Sequence, residues 1–216
     1  MEKLGKHWPQ YYVLDTEASY AVNFTVDEQT KDYLWFTLPM TNWSLATLRA
    51  DSKQDWQPHP IDCLNLQYSS EEFTDKEVDY ASWWRCNFVS KRMRSILDQY
   101  NAEACYSDAE LHRRKPSSTN QKLFVIMPTI AIYAIDRQSS IFEDEPDDPI
   151  TIRVSRIQRV VLDAELINQE QNTAQFVLAG TSQNIWLVRE DLALAIGNAN
   201  LNGVLIQEIQ ECSWDY

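Results

Sequence analysis

Glycine is scarce in this chain, with only Gly5, Gly180, Gly197 and Gly203 among 216 residues. Glycines so placed cannot assemble a GxGxxG turn or a GxxxxGK[ST] loop, so nucleotide cradles of those kinds are excluded. Histidine is nearly absent, with His7, His59 and His112 standing singly, and the cysteines Cys63, Cys86, Cys105 and Cys212 form no CxxC pair. Zinc needs His or Cys at short fixed spacings, and no such spacing occurs. The cysteines have apolar or aromatic residues close by and read as small buried hydrophobes in a reducing compartment. No apolar run approaches the ~18 residues of a membrane helix. The opening residues, MEKLGKHWPQYYVLD, lack the apolar core and cleavage site of a secretory signal. The expected location is the cytoplasm.

Positive charge is the other shortage. Nineteen Lys and Arg face 32 Asp and Glu, a formal net charge of −13. Nucleic acids and anionic membranes are both held by Lys and Arg on phosphate, so neither is an expected partner. Acidity alone keeps a cytosolic protein soluble, but here the carboxylates cluster. One run, Ser69 to Tyr80, carries Glu71, Glu72, Asp75, Glu77 and Asp79 against Lys76 and leads into Trp83 and Trp84. It reads either as a solvated acidic loop or short helix, or as carboxylates beside aromatic anchors that bind a protein partner. The second, Phe142 to Pro149, gathers Glu143, Asp144, Glu145, Asp147 and Asp148, and its prolines and mutual repulsion make it a loop. It lacks the glycine and terminal glutamate of an EF-hand, so calcium is not expected.

Catalytic signals are missing as well. There is no GxSxG elbow, and carboxylate pairs exist by number alone. We expect no enzyme, no cofactor and no metal.

What is present argues for a folded protein: 44% hydrophobic residues, eight Trp, ten Tyr and seven Phe. Near the end, Ile185 to Val188 is apolar like a buried strand. Leu192, Ala195, Ile196 and Ala199 then recur at helical spacing, with Glu190 and Asp191 in the first turn, where the helix dipole favours acids. Asn202-Gly203 signals a turn, and Val204 to Ile206 reads as a second strand. The same strand–helix–strand pattern occurs earlier, from Asn87 to about Glu110, at an ungapped offset of 99 residues. Val89 falls on Val188, Met93 on Leu192, Leu97 on Ile196, Asn101 on Asn200 and Cys105 on Val204. Apolar positions match, whereas Lys91 and Arg92 stand where the later copy has Glu190 and Asp191. We expect two equivalent units.

Further strands are read at Tyr11 to Leu14, around Phe24, at Tyr33 to Leu38, at Ile61 to Tyr68, from Lys122 to Ile135 with Pro128 as a bend, and at Phe176 to Ala179. The polar segment His112 to Gln121 is the best boundary. The expected fold is α+β and β-rich, with two similar strand–helix–strand units in two lobes, 1–112 and 113–216, or one compact domain.

The order from FVIMPTIAIYAID through the β stretch ITIRVSRIQRVVLDAELI to the closing unit resembles the bacterial polymorphic-toxin immunity proteins of family eleven. Their helix start is matched by Leu187, Val188, Arg189 and Leu192, and their Gly-Val step by Gly203 and Val204. Ile206 replaces the usual final Phe. Arg189 stands where Ser is frequent, although Ser90 occupies that place in the first copy. The resemblance covers roughly residues 80 to 210. It implies an α+β cytosolic antidote that binds a cognate toxin domain, with no catalytic residues to carry over. The acidic charge agrees with a basic partner. The competing reading is an acidic adaptor or regulatory module of another kind.

Overall fold

The computed structural model describes residues 10–16, 24–26, 64–68, 77–83, 86–112, 120–142, 157–169, 173–178 and 185–209. Two sheets dominate these residues. The first has the strand order β13-β1-β12-β11-β8. Its members are β1 (Tyr11–Thr16), β8 (Ala131–Ile132), β11 (Gln175–Leu178), β12 (Trp186–Arg189) and β13 (Val204–Glu208). The second has the order β2-β3-β6-β7-β5-β4. It comprises β2 (Phe24–Val26), β3 (Leu64–Tyr68), β4 (Tyr80–Trp83), β5 (Cys86–Ser90), β6 (Ala104–His112) and β7 (Gln121–Pro128). A ribbon of β9 (Ile141–Phe142) and β10 (Ile157–Arg159) stands beside them. The helices are α1 (Lys91–Gln99), α2 (Ala164–Gln169) and α3 (Glu190–Asn198). The fold is β-rich α+β.

The two strand–helix–strand units are real and equivalent element for element. Helices α1 and α3 have nine residues each and begin 99 residues apart. Both end at an asparagine of positive φ, Asn101 at 51° and Asn200 at 47°, where the short amide tolerates the left-handed conformation. Strand pairing extends the equivalence. β5 lies between its hairpin partner β4 and β7, and β7 also pairs with β6. Likewise β12 lies between β11 and β1, and β1 also pairs with β13. Phe124 faces Val89 as Tyr12 faces Val188. The difference is chain order. The completing strand follows the first unit as β7 but precedes the second as β1, so each sheet draws on both sides of residue 112.

The apolar positions shared by the two units explain the packing. Val89, Met93 and Leu97 join Val188, Leu192 and Ile196 in a single buried cluster with Leu14, Tyr80, Phe124, Ile126 and Trp186. A helix presents residues three and four apart to one side, so each helix gives its stripe to this shared core. The opposite face of the first sheet is covered too. Tyr11, Val13, Phe176, Leu178 and Leu187 pack with Ile132, Val160 and Ile167. Both faces of β12 are therefore dry, which is why Ile185 to Val188 reads as an unbroken apolar run rather than an alternating one.

Two expectations need correction. Residues 164–167, read as the end of a β stretch, belong to α2. Asp163 caps it, its Oδ1 accepting the amides of Glu165 and Leu166 at 2.9 and 3.1 Å, and Ala-Glu-Leu has high helix propensity. Tyr80, taken as the close of an acidic loop or helix, instead starts strand β4. The segment expected as a strand at residues 33–38 lies outside the described residues.

Candidate functional site

The seam between the two units is where polar chemistry converges. Ser90 caps α1, its Oγ accepting the amides of Arg92 and Met93 at 3.1 and 3.2 Å. Its hydroxyl proton goes to Asp79 Oδ1 at 2.6 Å. Asp79 Oδ2 accepts from Arg92 Nη1 at 3.1 Å and from the Asn202 amide at 3.0 Å. Arg92 Nη2 donates to the carbonyl of Ala199, the residue that ends α3, at 3.0 Å. One buried carboxylate thus ties strand β4, the start of α1 and the loop after α3 together. The backbone repeats the tie, since the Asn202 carbonyl accepts from the Asp79 and Tyr80 amides at 2.9 and 3.1 Å.

The reciprocal contact exists on the other side. Glu103, the equivalent of Asn202, accepts at its carbonyl from Gln175 Nε2 at 2.9 Å. Gln175 Oε1 in turn accepts the indole N–H of Trp186 at 3.0 Å, and Trp186 packs against Tyr80 with ring centroids 5.8 Å apart. The loop following each helix therefore grips the hairpin strand of the other unit.

Burial sets the ionisation of the tyrosines here. The Tyr80 hydroxyl is pushed well above its ordinary value by complete burial, and Tyr11, whose hydroxyl donates to the Thr173 carbonyl at 2.8 Å, is pushed up to about 12 by burial. Both stay protonated at neutral pH. On the surface of α3, the side chain of Arg189 donates to Asp191 at 2.8 Å through both Nε and Nη2, which holds the Asp191 carboxyl below the usual range. Among the described residues, no three His, Cys, Asp or Glu side chains are grouped to hold a metal ion.

Of the residues expected to meet a partner, Asp79 is 1% exposed and its carboxylate is taken up by the internal ties. The acidic sequence around it suggested a surface; only the fold shows it beneath α1. Trp83 ends β4. Glu71, Glu72, Asp75, Trp84, Glu143, Asp144, Glu145, Asp147 and Asp148 lie outside the described residues. The structure adds Leu194 on α3, 60% exposed. It falls off the Leu192–Ile196 stripe, a signal that a helical-wheel reading of the sequence would have carried.

The sequence model of the immunity protein family Imm11 matches residues 58–211, most of the chain and both strand–helix–strand units. The chain belongs to this immunity protein family, the class whose members neutralise toxins. No curated protein matches the chain. No described helix is long and apolar enough to cross a membrane.

Proposed function

We propose that this chain binds one cognate toxin domain in the cytoplasm and neutralises it stoichiometrically, without catalysis of its own. The family match over residues 58–211 carries this reading. The partner is a basic domain. With a net charge of −13, the chain attracts such a surface from a distance and speeds encounter. Glu71, Glu72, Asp75 and Glu143 to Asp148 are the steering charges, with Trp83 and Trp84 as aromatic anchors. Asp79 belongs instead to the scaffold, where its side chain is buried.

The test is co-expression with the C-terminal toxin domain encoded immediately upstream, scoring growth and isolating the complex. Rescue with a one-to-one complex is expected, with an association rate that falls as salt rises. Growth rescued without a complex would point to an enzyme that reverses the damage. A toxin left active would favour an acidic adaptor of another kind.

A further inference from the structure

Because α1 and α3 are equivalent elements in one fold, each is a control for the other. Their inward residues answer the same packing demand and are all apolar: Met93 and Leu97 in one, Leu192 and Ile196 in the other. Their outward residues differ in a consistent direction. Where α1 has exposed Ser95, α3 has Leu194 with 60% of its surface in water. Where α1 has exposed Asp98, α3 has Gly197, and a Cβ there would meet nothing within 4 Å. Where α1 has a Ser90 cap, α3 has Arg189, which makes no side-chain cap.

Two of these departures, Gly197 and the missing cap, weaken α3 locally. An exposed helical glycine costs about 0.5–1 kcal/mol relative to alanine, and an absent cap costs about as much. The missing cap is made up in part, since the Gln10 carbonyl accepts the Glu190 amide at 2.8 Å and Asp191 Oδ1 the Leu192 amide at 2.9 Å, but no atom lies within reach of a Cβ at Gly197, and Leu194 faces solvent. Local rules broken together on one outward face mark a surface shaped by something outside the fold.

Charge says what that something is. From Glu190 to Asn198 the helix contains no Lys or Arg, and while Asp191 is paired with Arg189, Glu190 leaves this face acidic. A second copy docked through the same face would bring acid against acid. At the equivalent start of α1 exposed Lys91 stands in place of Glu190 and repels a basic partner.

We propose that the outer face of α3 is the surface that contacts the toxin. Leu194 enters an apolar pocket of a basic partner, Gly197 lets the partner's main chain come close, and Glu190 meets its cations at the rim. The opposite charge on α1 gives a nearly two-fold molecule one docking face rather than two. This assignment rests on the immunity reading above. The acidic runs accelerate encounter, and α3 holds the complex.

The experiment measures affinity and dissociation rate for the toxin domain encoded upstream, using the full chain and three variants. Leu194→Asp and Gly197→Lys should each weaken binding at least thirtyfold, chiefly through faster dissociation. Ser95→Asp, the matching change on α1, should stay within threefold. Gly197→Lys replaces glycine by a better helix former, so its loss of binding should come with an unchanged or higher Tm, which keeps the test decisive if Leu194→Asp folds poorly. A parent complex that Gly197→Lys leaves intact overturns the α3 assignment and spares the immunity reading. No complex with the parent overturns both. Self-association abolished by Leu194→Asp, with toxin affinity unchanged, assigns the face to a second copy and overturns the proposal.

Discussion

The unit at residues 86–112 and the unit at 186–208 share a backbone plan but are held by different means. At the seam the first relies on polar ties: Ser90 capping α1, with the Asp79 carboxylate bridging Ser90, Arg92 and Asn202. Its counterpart joins bulk to an uncharged tie through Gln175. Trp186 stands where the first has Asn87, and by strand pairing Ala174 stands where the first has Asp79. The main chain is indifferent to the exchange: the Ser90 amide donates to the Asp79 carbonyl and the Arg189 amide to the Ala174 carbonyl, both at 2.9 Å. One strand–helix–strand plan therefore tolerates either solution, provided that the inward stripe of the helix remains apolar.

That contrast is most exposed to a test at its two unequal positions. Trp186→Ala should destabilise the protein by about 4 kcal/mol, because it empties a core site and strands the buried Gln175 amide oxygen. Asn87→Ala at the equivalent position should cost under about 1 kcal/mol, since its side chain is only half-buried. Urea denaturation of the pair measures both, and equal losses would break the comparison. Asp79→Asn should cost about 2–3 kcal/mol, since the amide cannot accept every bond the carboxylate now accepts. Arg92 is half-exposed, so its charge returns to water rather than being stranded. Ala174→Asp should not recreate the tie in the second unit, because the position equivalent to Ser90 is Arg189.

Smaller effects sharpen the comparison of the helices. Gly197→Ala should stabilise by about 0.5–1 kcal/mol, raising Tm by a few degrees, as the added methyl meets nothing. Asp191→Asn should cost only about 0.5 kcal/mol at neutral pH, since the carboxylate that pairs with Arg189 stands half in water. Its folded carboxyl lies below the ordinary value. The pair's contribution is therefore fully present above that ordinary value, about 3.9, and is lost as pH falls through the folded one. Parent and variant should converge in stability in strong acid, and a gap that persists there would assign the effect to packing.

The sequence carried the two units well, down to the 99-residue offset, because core-facing positions at helix and strand periods leave little choice of residue. It also carried the strand at Tyr11 to Leu14 and the turn at Gly203, whose φ is 86°. It misplaced residues 164–167, where Val160, Val161 and Leu162 prolonged a β-like pattern up to the capping Asp163. Asp79 escaped it for a different reason. Acidic neighbours describe a residue's place in the chain, whereas its burial depends on Asn202, 123 residues away.

By itself, then, the sequence determined the secondary elements of both units, the family and the strongly acidic balance, since these follow from local pattern and composition. Only the tertiary structure decided that β1 completes the second unit as β7 completes the first, that Asp79 locks a seam, and that the space around Gly197 is open. Strand partners and buried ion pairs are settled between residues far apart in the chain. A local pattern can say that a strand has an apolar face, but long-range packing chooses which strand will cover it.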